Sequence, residues 1–235
     1  MIKMSNKTVL VTGGSGFIGS HLINRLLDEG NGVVCLDNLN DFYDPRIKDL
    51  NRESHYDFDQ YSFLEGDIRD QGQLNKIFKD NDIEVVIHLA AMAGVRPSLE
   101  DPKLYTDVNI NGTQNLLEAM NNSGVQKFLF ASSSSVYGNN IKTPFSEDDI
   151  VDYQISPYGA TKKMGEIMCY TYHHLSEMPT TCLRFFTVYG PGQRPEMAIH
   201  KFTRLMKNNQ PIPFFGDGST ARDYTYIDDI IDGIF

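Results

Sequence analysis

The residues best suited to chemistry are Tyr158 and Lys162, in the stretch Ser156-Pro157-Tyr158-Gly159-Ala160-Thr161-Lys162. On a helix, side chains four residues apart project from one face, which puts the ammonium beside the phenol. A phenol has an ordinary pKa of about 10, and using it as a base near neutrality needs a downward shift of about 3 units, worth roughly 4 kcal/mol. A nearby cation supplies about 1–3 of those units. A second positive charge is needed to complete the shift. Tyrosine and lysine one turn apart also occur on ordinary exposed helices, so the pair takes its meaning from the rest of the chain.

A source for the second charge is suggested near the N-terminus. The apolar run Thr8-Val9-Leu10-Val11-Thr12 leads into Gly13-Gly14-Ser15-Gly16-Phe17-Ile18-Gly19 and then an amphipathic helix to about Glu29. A glycine turn between strand and helix leaves backbone N–H groups free for an anion such as a pyrophosphate. The next strand, 32–36, ends at Asp37-Asn38, where an acidic residue can accept from a ribose hydroxyl and repel a 2′-phosphate. These residues predict NAD as the cofactor. Its oxidised nicotinamide ring would be the second positive charge, cancelled by hydride transfer as Tyr158 takes a substrate proton.

The elements that must position these groups alternate. Further strands are predicted at 61–65, running into Gly66-Asp67-Ile68, and at 84–91, a near-continuous apolar run whose small end, Ala90-Ala91, lets a cofactor lie close. A long helix from about Pro102 to Asn122 precedes a strand at 127–131, which delivers Ser132-Ser133-Ser134-Ser135-Val136-Tyr137-Gly138. The Tyr158 helix and a sixth strand, 181–186, follow. Strand and helix in alternation predict an α/β fold, a Rossmann-type doubly wound parallel sheet with right-handed crossovers. Ligands in such sheets sit beyond the strand C-termini, and the glycine loop, Asp37, Asp67, the serines and Thr187 all fall at that edge. Later elements are a helix at about 196–208, the stretches 212–215 and 220–226, and a helix starting at Ile227. The polar stretch 38–60, with a Tyr43-Asp44-Pro45 turn and a short helix, carries little legible chemistry.

Bulk properties exclude several classes. The 235 residues are 40% hydrophobic and 22% charged, as in soluble globular proteins. No apolar run approaches the roughly 20 residues needed to cross a bilayer, and Met1 to Lys7 carries no signal-peptide core, so a cytoplasmic location without membrane partner is expected. A net charge of −10 argues against nucleic acid as a partner. Cys35, Cys169 and Cys182 are too few and scattered for a disulfide framework or a metal site, and His173-His174 has no ligand set at metal spacing. His88 reads as a strand-end hydrogen-bonding residue.

In combination, Thr12 to Gly19, Asp67-Ile68, the serine run ending at Gly138, and Tyr158 to Lys162 resemble the extended short-chain dehydrogenase/reductase family of nucleotide-sugar enzymes. The similarity covers essentially the whole chain. It implies that Gly13, Gly16, Phe17, Ile18 and Gly19 hold the NAD pyrophosphate, Asp37 and Asn38 the adenosine ribose, and Asp67 and Ile68 the adenine. Leu89, Ala90, Ala91, Asn109 and Phe185 would complete the cofactor site, with Lys162 on the nicotinamide ribose. Tyr158 would be the base and Ser133 its partner hydroxyl. Arg222 would meet a UDP diphosphate, with Arg96 and Arg194 near the sugar. The resemblance also implies a homodimer through the 102–122 and Tyr158 helices.

Within that family the first step is shared: Tyr158 removes a C4-hydroxyl proton while hydride leaves C4. Related dehydratases carry an Asp-Glu pair where Ser134-Ser135 stand, and decarboxylases a Glu at the Ser135 position. Hydroxyls cannot act as acid and base near neutral pH, so oxidation and return, a 4-epimerisation, is expected. The resemblance of the stretches Asp37 to Pro45, Ala93-Gly94-Val95-Arg96, Arg184 to Pro191, Arg194 to Ala198 and Arg222 to Asp229 to the family's uronate-acting members implies UDP-glucuronate as the substrate, and Ser134, Ser135 and Thr187 are expected to hold its carboxylate. A UDP-glucose or other UDP-hexose epimerase and a catalytically silent NAD-binding module are the alternatives. The expected division is 1–190 for NAD and 191–235 as the start of a substrate-binding region. The rest of that region, present in longer family members, is expected to be missing.

Overall fold

A computed structural model describes residues 6–121, 123–214, 216–219 and 221–235. The expected helix end at Asn122, and Phe215 and Thr220 in the two later stretches, lie outside these residues. β1 (Thr8–Thr12), β2 (Gly32–Asp37) and β3 (Tyr61–Glu65) alternate with α1 (Phe17–Asp28), α2 (Pro45–Arg52) and α3 (Gln71–Asp80). After β4 (Val85–His88) come α4 (Val95–Glu100), α5 (Pro102–Thr106) and α6 (Gly112–Asn121), then β5 (Lys127–Ser133). α7 (Pro157–Ser176) and β6 (Thr180–Phe185) complete a six-stranded parallel sheet in the order β3-β2-β1-β4-β5-β6. The predicted doubly wound sheet is therefore present. Its strand order reverses beside β1, where the crevice for a ligand opens.

Side chains alternate across each strand and build one core on each face. Leu10, Val34, Leu36, Val86 and Phe130 pack with α3, α6 and α7. Val9, Val11, Cys35 and Ile87 pack with α1. The single helix expected between residues 102 and 122 contains a π turn, Asp107–Asn111, between α5 and α6. β5 runs two residues further than expected, to Ser133.

Beyond the sheet, β7 (Thr187–Tyr189), α8 (Ala198–Lys207), β8 (Tyr224–Tyr226) and α9 (Ile227–Ile234) follow, with β7 and β8 paired in parallel. The β7–β8 pair was not anticipated, because strands of three residues leave almost no periodic signal. α8 buries none of its residues. α9 returns to the main body: Ile227, Ile231 and Ile234 join the α1 core. No helix among the described residues is long and apolar enough to cross a membrane.

Candidate active site

A cavity of about 400 Å³, the size of a small-molecule pocket, runs along the strand C-termini from the glycine loop to Tyr158. At its first end the loop approaches β4 closely. Gly13 has φ +71°, and a Cβ there would sit 2.7 Å from the Ala90 nitrogen. Only glycine satisfies both conditions. Helix α1 begins after Gly16 with no side-chain cap, leaving its first N–H groups available to an anion.

Asp37 closes β2, and its carboxylate is already engaged. Oδ2 accepts from the Ser15 amide at 3.1 Å, and Oδ1 from the Leu39 amide at 2.9 Å and the Lys48 ammonium at 3.3 Å. Asp67 accepts from Asn38 at 2.8 Å and from the Arg69 guanidinium at 2.8 and 3.0 Å. Hydrogen bonds from Arg69 pull its pKa down to about 2, against the opposing effect of burial. Asn38 thus holds the neighbouring carboxylate while itself lining the cavity. Ile68, Leu89, Ala90 and Ala91 complete this wall.

At the other end, α7 starts under tight local control. The Ser156 hydroxyl accepts from the Gly159 amide at 3.0 Å, and Pro157 occupies the first turn. Gly159 lets the helix meet the serine turn, since a Cβ there would lie 2.8 Å from the Ser135 carbonyl oxygen. Tyr158 therefore sits in the first turn of a 20-residue helix, where the positive end of the macrodipole favours a phenolate.

The serines divide by strand alternation. Ser132 donates to Glu166 at 2.6 Å on one side of the sheet, where Arg184 also grips that carboxylate at 2.9 and 3.0 Å. Ser133 faces the cavity and accepts from the Ser135 amide at 3.1 Å. That bond uses a lone pair of Ser133, leaving its hydrogen free to donate. Ser134, Ser135 and Thr187 line the cavity next to it, with Phe185, Phe186 and Arg194.

The dyad differs from the sequence expectation in one physical respect. Burial pushes the Tyr158 phenol above its ordinary value, and the groups working against burial are the Ser133 hydroxyl and the Arg194 guanidinium, not Lys162. The Lys162 ammonium donates to the Ala131 carbonyl at 2.8 Å and lies 6.0 Å from the Tyr158 ring centroid. Burial lowers Lys162 to about 8.

Behind the cavity a buried relay ties its two ends together. Thr113 donates to the Asn109 carbonyl at 2.7 Å, so the His88 Nε2–H must donate to Thr113 (2.9 Å) and Nδ1 accept from Thr12 (2.6 Å). Burial, reinforced by Lys162, holds His88 down at about 3, hence neutral. Asn109 clamps Met92 through both backbone groups at 2.8 and 2.9 Å and donates to Thr161 at 3.0 Å. Asn109 lies behind the wall rather than in it.

Two more expected residues, besides Asn109, stand apart from the cavity lining. Arg96 is exposed on α4. Arg222 is exposed and donates to the Ala221 carbonyl at 2.8 Å. Arg194 does line the cavity, paired with Glu196 at 3.1 Å. Residues that sequence reasoning missed are Lys48, Phe42 and Tyr43 from the polar stretch after β2, and Met92 and Met197. Tyr43 stood in a turn and in the stretch from Asp37 to Pro45 without a role of its own, although burial raises its phenol to about 12.

Residues 9–235 match the NAD dependent epimerase/dehydratase family. The chain is 49% identical over 224 residues to the UDP-glucuronate 4-epimerase of Thermodesulfobacterium geofontis, a match covering 95% of this chain and 69% of that protein. Its fold is similar to the crystal structure of the Bacillus cereus UDP-glucuronic acid 4-epimerase in complex with UDP-glucuronic acid and NAD. There the TM-score is 0.91 at 43% identity, over 97% of this chain and 71% of that one. A UDP-glucose 4-epimerase from Thermotoga maritima, solved with UDP-glucose, gives a TM-score of 0.87 at 36% identity, over 96% and 71% of the two chains.

Proposed function

The chain belongs to the NAD-dependent epimerase/dehydratase family, and from that membership and its cavity we propose that it interconverts UDP-glucuronate and UDP-galacturonate by epimerisation at C4. The observation carrying this reading is the continuity of one cavity from the glycine loop to Tyr158, with hydroxyls alone at positions 133–135 and 187. The residues fit NAD: a glycine cradle that a Cβ would fill, an uncapped helix N-terminus for the pyrophosphate, Asp37 and Asn38 at the adenosine ribose, and Asp67 with Ile68 at the adenine. When bound, NAD supplies the hydride acceptor and donor at C4.

The protein's own groups do the rest. Tyr158, as a phenolate favoured against burial by Ser133 and Arg194, would take the C4-hydroxyl proton and later return it. Lys162, anchored on the Ala131 carbonyl, would hold the nicotinamide ribose of NAD. A 4-keto uronate is a β-keto acid that loses CO₂ when its carboxylate aligns with the ketone π system. Ser134, Ser135 and Thr187 hold the carboxylate out of that alignment while the ketone turns its other face, and Arg194 sits at the sugar. Residues 1–190 carry the cofactor, and 191–235 begin the substrate region, apart from α9. A cytoplasmic homodimer belongs to the same reading, with the exposed Met164, Ile167 and Tyr170 of α7 as its contact, and sedimentation of the chain tests it.

The decisive experiment incubates the chain with NAD and either UDP-glucuronate or UDP-glucose and resolves the C4 epimers. UDP-galacturonate from the first and little product from the second is expected. Product from UDP-glucose alone would move the assignment to the neutral hexose. Dinucleotide binding with no turnover of any UDP-sugar would leave a silent binding module.

A further inference from the structure

We propose that Lys48 is the residue that sets how strongly the site discriminates between NAD and NADP, acting through its buried ion pair with Asp37. The inference rests on the NAD reading above. An acid at the end of β2 is expected to exclude NADP by repelling the 2′-phosphate. That argument requires the acid to be the net charge at the site. Here the Lys48 ammonium stands 3.3 Å from Asp37, both side chains are 6% exposed, and Lys48 itself lines the cavity. The pair is close to neutral as a unit, and no other ion pair to Asp37 is present among the described residues.

Three features make this an organised site rather than a chance contact. The Asp37 carboxylate is fixed by the Ser15 and Leu39 amides, so it cannot swing away from the lysine. The ammonium has its own second acceptor, Asn40 Oδ1 at 3.4 Å, and stands 5.4 Å from the Tyr43 ring centroid. The helix that carries Lys48 turns this lysine inward while Leu50 is 65% exposed. Asp37 therefore supplies the acceptor that a ribose hydroxyl needs, and Lys48 supplies a buried cation that a 2′-phosphate would seek. With both present the carboxylate decides by occupying the position, not by net repulsion.

The two halves of the pair then act in opposite directions. Lys48→Met leaves Asp37 as an uncompensated anion, and the ratio of Kd for NADP to Kd for NAD should rise at least tenfold. Lys48→Arg keeps the charge and should leave the ratio within threefold of wild type. Asp37→Ser removes the occupant and exposes the cation, so the ratio should fall at least tenfold, and the double variant Asp37→Ser/Lys48→Met should lose that gain in NADP binding.

The measurement is isothermal titration of the full chain with NAD, and with NADP as its competitor, with thermal melts confirming that each variant is folded. Because Asp37→Ser also removes the acceptor for two backbone amides, the Lys48 variants carry the test by themselves if it fails to fold. A ratio in Lys48→Met within twofold of wild type, or a double variant binding NADP as tightly as Asp37→Ser, overturns the proposal while leaving the NAD reading intact. Wild-type protein that binds neither dinucleotide overturns both.

Discussion

On the wall built from β1, β2 and β3, the carboxylates reaching the cavity are held by donors from the protein itself. Asp37 takes two amides and an ammonium, and Asp67 takes an amide side chain and a guanidinium. On the wall built from β5 and α7, the two ionisable groups that line the cavity, Tyr158 and Lys162, are buried with no oppositely charged hydrogen-bond partner among the described residues. Lys162 makes no ion pair among the described residues and bonds only a carbonyl, while Tyr158 is pushed upward by burial. The first wall is a finished receptor. In the second, burial displaces both pKa values, Tyr158 upward and Lys162 downward, as expected of a place where protons are exchanged.

The sharpest way to break the comparison is Tyr158→Phe. It removes the proton carrier and leaves the glycine cradle untouched, so kcat on UDP-glucuronate should fall by about 10³-fold or more, with NAD affinity unchanged by titration. A fall in NAD affinity as large as the fall in rate would show that the two walls are not separable.

Lys162→Met tests the same wall through pH. The folded chain releases this proton at about 8, whereas an unfolded lysine holds it to about 10.4. Between those values the unfolded chain binds more protons, so the cost of burying the charge is fully present below pH 8 and is relieved as pH rises, by roughly 3 kcal/mol at most. Wild-type melting temperature should therefore fall less steeply above pH 8 than that of Lys162→Met. The variant should also lose about 10²-fold in kcat. Parallel melting curves for the two proteins between pH 8 and 10 would remove the lysine from this account.

On the receptor wall the largest effect is backbone rather than charge. Gly13→Ala forces a side chain into a positive φ and against the Ala90 backbone at 2.7 Å, costing about 1–3 kcal/mol in urea unfolding. NAD affinity should drop more than tenfold.

The contrast also explains what was legible from sequence. The parallel sheet was readable because strands such as Val85–His88, buried throughout, are short apolar runs between turns, and the dyad because α7 carries Tyr158 and Lys162 on one face. Lys48 was not readable. The inward face of α2 carries Lys48 and Arg52 while Leu50 is exposed, the inverse of the amphipathic rule, so the helix reads as a solvated surface. The partners of Tyr158 were only half legible: Ser133 was implied by the family resemblance, but Arg194 comes from a segment whose approach is set by tertiary packing. The role of Asn109 depends on a π turn, which changes the register of one helix and has no sequence signature of its own.

The smallest expected effect concerns Arg69, the outermost member of the receptor wall. Its hydrogen bonds to Asp67 are the main reason that carboxylate stays ionised down to about pH 2, so Asp67 contributes stability above its unfolded pKa of about 3.9 that is lost as pH falls toward 2. Arg69 is 39% exposed, and solvent screens such pairs to under about 1 kcal/mol. Arg69→Gln should therefore move the acid edge of stability upward by less than one pH unit at about 0.1 M salt, because Asn38 still donates to Asp67. NAD affinity should weaken only about two- to threefold. An acid shift larger than one unit would mean that Arg69, not the interior hydrogen bonds, holds this wall together.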